Sequence, residues 1–176
     1  MGSVCETIKE VVDYLNSKGN NVGLVEVHLY RPFSSKYFLN VLPKGVRKVA
    51  VLDRTKEAGS IGEPLYLDVC NVIKNSDARV SVYGGRYGLS SKNTTPAQIK
   101  AVYDFMNSDK VHHNFTIGIN DDLTNLSLDV DDNFFIPSDV TEFLIYGYGS
   151  DGMISTSKDI IKIIGDYTDN FVQGYF

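Results

Sequence analysis

The residue pattern most suggestive of chemistry is a glycine-rich stretch from Gly147 to Gly152, which reads Gly-Tyr-Gly-Ser-Asp-Gly. It follows an apolar run that predicts a strand and precedes a run that predicts a helix. Glycines at such a turn let backbone N–H groups approach a phosphate, and the positive end of the helix dipole then faces the same anion. Lys158 lies in the second turn of the predicted helix, within reach of that anion. The stretch therefore predicts a phosphate or nucleotide site.

A purely structural turn explains the same glycines equally well, because glycine at a strand-to-helix turn is often there for steric reasons. Asp151 also places a carboxylate inside the loop. In dinucleotide-binding proteins the acidic residue that binds the ribose lies about 20 residues further on. In this sequence that position falls at the end of the last predicted strand, so strict dinucleotide binding is not favoured.

A second group of charges and glycines extends from Asp53 to Glu63, directly after a predicted parallel strand. Open α/β sheets bind ligands at that edge. Alternating charges also make a good ion-paired contact surface, so we favour an internal or inter-domain interface over a small-molecule site. Arg86 and Lys92 pose a similar choice between clamping an anion and ordinary solvation, and we favour solvation.

The histidines and cysteines form no recognisable active site in the sequence. His28, His112 and His113 have neither a nucleophile motif nor a third metal ligand beside them, and we interpret them as structural. Cys5 and Cys70 lack the spacing of a zinc site, and we expect free thiols. No catalytic residue and no metal ligand is therefore assigned from the sequence.

Composition excludes several classes of protein. Acidic residues outnumber basic ones by 22 to 17 in the 176 residues, which gives a net charge of -5 and a pI near 5.1. This balance lacks the positive surface on which nucleic-acid binding depends. No apolar run approaches the roughly 20 residues of a membrane span, and no signal peptide is recognisable, so we expect a cytoplasmic protein without a membrane partner. Asp129 and Asp131 begin a calcium-loop pattern, but Phe134 stands where glycine is required, so calcium is rejected.

The elements that must position these residues alternate between helix and strand, which is typical of an α/β fold with a parallel sheet and helices on both faces. Ser3 and Glu6 have the spacing of a capping box, and Gly84-Gly85 predicts a turn. The predicted helices cover residues 3–19, 34–42, 64–73 and 95–106, and the predicted strands cover residues 22–30, 48–52, 78–83 and 115–119.

The last third of the chain differs in composition. An acidic, asparagine-rich stretch without helical periodicity predicts a linker, and a new α/β unit begins after it. In that unit we expect a strand, a helix whose buried side carries Ile160, Ile161, Ile163 and Ile164, and a second strand. The chain stops after one and a half units, so we expect a piece of a longer polypeptide. The predicted domains are residues 1–120 and 141–176 with a linker over 121–140, and the two late strands cover residues 141–146 and 171–176.

Four long motifs in order make the chain resemble the pyruvate:ferredoxin (flavodoxin) oxidoreductase family. They are Leu29-Tyr-Arg-Pro-Phe-Ser, Val51-Leu-Asp-Arg-Thr-Lys-Glu with the following Gly-Glu-Pro-Leu-Tyr-Leu-Asp-Val, Tyr83-Gly-Gly-Arg-Tyr-Gly-Leu-Ser-Ser-Lys, and Asn114-Phe-Thr-Ile-Gly-Ile. The resemblance covers nearly the whole chain. A further match, from Tyr148 through Lys158, looks like the start of the family's next domain.

The resemblance implies that the first 120 residues correspond to the family's second domain, which is similar to the transketolase C-terminal domain, without its opening strand. It also implies a parent enzyme that turns pyruvate and coenzyme A into acetyl-CoA and CO2. That parent is expected to be a homodimer with thiamine diphosphate, Mg and iron–sulfur clusters, and to pass electrons to ferredoxin or flavodoxin. Its cofactor and pyruvate sites lie on segments absent here, so we expect this piece to bind no cofactor, to pack against the remaining domains and to be catalytically silent alone.

The resemblance further implies part of a coenzyme A site, because the family's third domain approaches that substrate. Carried over to this sequence, the site comprises Gly149, Ser150, Asp151, Gly152 and Lys158. The sequence departs from the family after the loop, where Ser-Thr-Ser replaces a common Gly-Ala-Asn. Two alternatives stay open: a parent fused to a flavin reductase that delivers electrons to NADP, and a stand-alone nucleotide-binding or structural interaction module.

Overall fold

The computed structural model describes residues 2–90, 92–120 and 123–175, which fall into two compact units, Met1–Ile136 and Pro137–Phe176. The α/β fold expected from the sequence is confirmed, because the described part of the first unit has a three-stranded parallel sheet flanked by helices. The elements of the first unit are α1 (Val4–Ser17), α2 (Ser35–Val41), β1 (Lys48–Asp53), α3 (Pro64–Lys74), β2 (Ser81–Tyr87), α4 (Pro96–Asn107) and β3 (Phe115–Ile117).

The sheet has the order β1-β2-β3 and separates two hydrophobic cores. Successive side chains of a strand point to opposite faces. Val49 and Val51 accordingly join the core formed by α2 and α3, whereas Ala50 and Leu52 pack against the core formed by α1 and α4. The near-continuous apolar character of β1 thus reflects a strand covered by helices on both sides.

Two helices begin with an N-cap residue whose side chain caps the helix. Thr95 and Gln98 form a complete capping box at the start of α4, and the Ser34 hydroxyl accepts from the backbone of Tyr37 at the start of α2. The capping box expected from Ser3 and Glu6 is wrong, because the Ser3 side chain makes no cap hydrogen bond. The backbone of Ser3 already has helical angles, φ -58° and ψ -26°, whereas a capping side chain requires an extended residue.

The turn expected at Gly84-Gly85 is also wrong, because both glycines lie inside β2, which starts at Ser81 rather than at residue 78. A Cβ added at Gly84 would lie 2.9 Å from the ring of Tyr66, and one added at Gly85 would lie 2.3 Å from the ring of Phe115. The two glycines therefore make room for aromatic rings on opposite faces of the strand.

The strand expected over residues 22–30 does not form, although its side chains are arranged as in a strand. Val22 and Leu24 pack against the core of α1 and α4, whereas Val25 and Val27 pack against the core of α2 and α3. The described structure gives this segment no strand partner. A strand requires a hydrogen-bonded neighbour as well as the right side chains, which explains the difference.

The segment after β3 contacts the sheet. The backbone N–H of Thr116 donates to the carbonyl of Leu126 at 2.9 Å, and the N–H of Leu128 donates to the carbonyl of Thr116 at 2.8 Å. Residues 126–128 thus cover the outer edge of β3. The linker predicted over 121–140 begins at Asp121 and Asp122, which lie outside the described residues, and the domain limits stay predictions.

The second unit contains α5 (Met153–Tyr167), which confirms the expected helix. The strands expected over residues 141–146 and 171–175 do not form, and residue 176 lies outside the described range. The buried side expected for α5 is wrong as well, because Ile160 and Ile163 are 40% and 57% exposed. A unit of this size offers these apolar residues no sheet to pack against. Each helix in the described part of the chain is too short or too polar to cross a bilayer.

Candidate functional site

The glycine-rich loop leads into the N-terminus of α5, as the sequence predicts. Gly149, Ser150 and Gly152 all have positive φ, at 79°, 49° and 80°. This left-handed conformation favours glycine, so the glycines at 149 and 152 are required by the backbone itself. Lys158 lies in the second turn of the helix that follows.

Asp151 occupies the place at the start of α5 where an anion would bind. Its Oδ1 accepts the N–H of Met153 at 3.0 Å, and its Oδ2 accepts the N–H of Tyr148 at 2.6 Å. These two backbone hydrogen bonds hold the pKa of the Asp151 carboxyl below its usual value, so the group is anionic at neutral pH. The loop is thus closed by its own carboxylate, in the manner of an Asx turn.

The structure therefore brings Gly149, Ser150, Asp151 and Gly152 together in one exposed loop, with Lys158 on the next helix. A phosphate that approaches the loop meets the Asp151 charge. The donors available to the phosphate are the backbone N–H groups in the first turn of α5 that do not already donate to Asp151. The sequence signal for this internal acceptor is the position of Asp151, two residues before the helix begins.

The edge of the sheet after β1 also uses its carboxylate internally. The carboxylate of Asp53 accepts the backbone N–H groups of Leu65 and Tyr66, both at 3.0 Å, and so caps the first turn of α3. Asp53 is only 7% exposed. Burial raises the pKa of its carboxyl, and the two backbone hydrogen bonds act in the opposite direction.

The other charged groups at this edge bind neighbouring loops. The Arg54 guanidinium donates to the carbonyls of Gly88 at 2.6 Å and Ser90 at 2.7 Å. The Nε of Arg86 lies 3.9 Å from Glu63, and both side chains are largely buried. These contacts join loops at the carboxyl end of the sheet, which agrees with an interface internal to the fold.

Lys92 and the histidines also have structural contacts. The ammonium of Lys92 donates to the carbonyl of Gly118 at 3.4 Å. His113 stacks on Tyr83, with 5.0 Å between the ring centroids, and its Nδ1 lies 3.3 Å from the hydroxyl of Tyr66. His112 packs edge-on against an aromatic ring of α4. These positions agree with the structural interpretation of the two histidines.

Burial raises the pKa of the Tyr66 hydroxyl to about 12, with a smaller contribution from Cys70. Cys5 and Cys70 are both free, as expected. Within residues 2–90, 92–120 and 123–175, no cluster of three or more histidine, cysteine or carboxylate side chains is arranged to hold a metal ion.

Comparison with known proteins identifies the family. The model of "Pyruvate:ferredoxin oxidoreductase core domain II" matches residues 1–99. The whole chain is 51% identical to a pyruvate-flavodoxin oxidoreductase of Enterobacter agglomerans, 49% identical to a pyruvate:ferredoxin oxidoreductase of Moorella thermoacetica and 50% identical to a pyruvate-flavodoxin oxidoreductase of Trichormus variabilis.

The matched region spans only 15% of the length of each of these relatives. Within that region, however, the alignment includes all of this chain, the glycine-rich loop among it. On the family model and on this identity, the chain belongs to the pyruvate:ferredoxin (flavodoxin) oxidoreductase family.

Proposed function

We propose that this chain is a structural part of an enzyme that oxidises pyruvate in the presence of coenzyme A. The reaction yields acetyl-CoA and CO2, and two electrons pass to ferredoxin or flavodoxin. The observation that carries this proposal is the identity of about 50% over the whole chain to relatives named as pyruvate-flavodoxin or pyruvate:ferredoxin oxidoreductases. The remaining domains of the longer polypeptide are the proposed partners.

The donor set of this chain supports a scaffolding role rather than a cofactor-binding one. Iron–sulfur clusters are commonly held by four cysteine thiolates, whereas this sequence has two cysteines. Cys5 lies on α1 and is buried in the core. These residues do not fit a cluster, and we assign the clusters, thiamine diphosphate and Mg of the parent enzyme to its other segments.

The charges at the carboxyl end of the sheet support the same role. Asp53 caps α3, Arg54 binds two loop carbonyls and Arg86 lies beside Glu63. Each of these groups already has a partner within the first unit. We propose that this edge stabilises the domain and leaves the chemistry to neighbouring domains.

We further propose a contact between coenzyme A and the loop of Gly149, Ser150, Asp151 and Gly152, with Lys158 as the cationic partner. The positive-φ backbone of the loop and the start of α5 suit an anionic group. Asp151 weakens this contact because its carboxylate already occupies part of the helix N-terminus. The loop is therefore proposed as a subsidiary contact with coenzyme A.

The proposal is tested on the isolated chain. With thiamine diphosphate, Mg, coenzyme A and pyruvate supplied, we expect no reduction of an electron-accepting dye and no release of CO2. After incubation with iron and sulfide, we expect no visible absorbance of a cluster. The full-length Enterobacter agglomerans relative serves as the positive control. Turnover of pyruvate by the pure chain contradicts the scaffolding role.

A further inference from the structure

The hydroxyl of Tyr66 in α3 lies 3.3 Å from Nδ1 of His113, in the turn that precedes β3. Tyr66 is half-buried, whereas His113 is exposed to solvent. A neutral histidine that carries its proton on Nε2 accepts a hydrogen bond at Nδ1. With that tautomer, the Tyr66 hydroxyl donates to a base rather than to a carbonyl or to water.

Packing holds both rings of this pair in place. A Cβ added at Gly62 would lie 2.6 Å from the Tyr66 ring, and one added at Gly84 would lie 2.9 Å from it, so the ring fills the space that these glycines leave. The imidazole of His113 stacks on the ring of Tyr83 at an interplanar angle of 27°. Tyr83 and Gly84 are consecutive residues of β2, so one strand positions both members of the pair.

The Tyr66 hydroxyl is protonated at neutral pH. Burial raises its pKa to about 12, with a smaller contribution from Cys70, one helical turn further along α3. A phenol that loses one electron becomes a strong acid, so its oxidation is easier when a base within hydrogen-bonding distance takes the proton in the same step. Nδ1 of His113 is such a base.

We propose that Tyr66 and His113 form a redox-active pair that gives up one electron to an oxidising radical derived from oxygen. The electron leaves the Tyr66 ring, and the hydroxyl proton moves to Nδ1 of His113. The oxidant is reduced by one electron, and the products within the chain are a neutral tyrosyl radical and a protonated imidazole. The pair thus gives the first unit a defined site of one-electron oxidation.

The test is flash oxidation of the full chain by photochemically generated tris(bipyridine)ruthenium(III), a one-electron oxidant. The absorbance of the tyrosyl radical measures how fast the radical forms. Tyr103→Phe is the matched control for Tyr66→Phe, because burial also raises the pKa of Tyr103 to about 12. The Tyr103 hydroxyl, however, donates to the carbonyl of Gly23 at 3.0 Å, and a carbonyl is not a base that takes the proton.

The unmodified chain is expected to form part of its radical in a fast phase, at least about tenfold faster than the remaining tyrosines. Tyr66→Phe loses this phase, and Tyr103→Phe keeps it. His113→Gln also loses it, because a glutamine oxygen accepts a hydrogen bond but does not take the proton. Free imidazole is expected to restore the fast phase in His113→Ala, a result that a purely structural role of His113 does not produce.

Equal rates of radical formation in the unmodified chain, Tyr66→Phe and His113→Gln overturn the proposal. Cys70→Ala is measured in the same way and is expected to keep the fast phase. Loss of the phase in Cys70→Ala, with its retention in His113→Gln, assigns the reaction to the thiol and overturns the proposal as well. None of these readouts uses pyruvate or coenzyme A, so they are independent of the proposed function.

Discussion

The ring of Phe115 occupies the space in which a side chain at Gly85 would stand, and the two residues are partners in the β2–β3 register. A Cβ at Gly85 would lie 2.3 Å from the tip of that ring. Phe115 is fully buried, and it packs against Phe105 of α4 at a centroid distance of 5.0 Å. A glycine in the middle of this strand is thus the condition for the packing of Phe115 in this core.

Gly85→Ala is expected to destabilise the chain by about 1–3 kcal/mol, because the added methyl group forces the buried ring of Phe115 to move. Gly45→Ala is the matched control, since nothing lies within 4 Å of the Cβ it adds and its φ is not positive. Urea unfolding measures both free energies. Equal stability of the two variants contradicts the packing described here.

Asp53→Ala is expected to cost about 1–2 kcal/mol in the free energy of unfolding, the usual effect of removing a helix cap. The change leaves the N–H groups of Leu65 and Tyr66 without their acceptor. Asp13→Ala, at an exposed position of α1, is the control for the loss of one negative charge. If the two variants unfold at the same urea concentration, Asp53 is not the cap of α3.

The two capping aspartates should titrate on opposite sides of the ordinary aspartate pKa of 3.8, with Asp53 above it and Asp151 below it. Burial is the larger influence at Asp53, whereas hydrogen bonds to backbone N–H groups are the larger influence at Asp151. Carboxyl chemical shifts followed by NMR from pH 2 to pH 7 measure both values. A pKa for Asp151 above that of Asp53 contradicts this assignment.

The two shifted pKa values give the free energy of unfolding pH dependences of opposite sign at Asp53 and Asp151. The stabilisation from Asp151 is fully present above its unfolded pKa and is lost as the pH falls through its lower folded pKa. Asp53 has the raised folded pKa, so its contribution declines as the pH rises from the unfolded value to the folded one. An Asp151→Asn variant is expected to lose the pH dependence of stability that comes from Asp151 and to keep the one that comes from Asp53.

Asp151→Asn is also expected to tighten the binding of coenzyme A about two- to fivefold, because it removes a negative charge at the helix N-terminus. Lys158→Ala is expected to weaken it. Calorimetry with coenzyme A, NAD, NADP and ADP measures the affinities in the same buffer. Binding of a nicotinamide cofactor in the absence of coenzyme A binding contradicts the proposed contact and favours a nucleotide-binding module.

The sequence predicts the helices and β1 well, because the residues that define each of these elements lie within the element itself. α4 begins with Thr95, Pro96 and Gln98, and α1 repeats its buried residues at helical spacing. The α/β class follows from the order of these elements. The sequence does not predict the contacts between elements in this way.

The predictions that the structure contradicts concern segments whose conformation depends on residues distant in the sequence. Gly84 and Gly85 suit a turn or a strand under aromatic rings, and only the packing of Tyr66 and Phe115 distinguishes the two. The run over residues 22–30 has the side chains of a strand but no neighbour to pair with in the described structure. The capping roles of Asp53 and Asp151 likewise depend on hydrogen bonds rather than on composition.

The most direct test of the proposed function is a chimera in which these 176 residues replace the matching segment of the Enterobacter agglomerans relative, to which they are 51% identical. We expect a folded chimera that oxidises pyruvate with coenzyme A, whereas the chain alone does not. A folded chimera without pyruvate oxidation, or pyruvate oxidation by the chain alone, contradicts it.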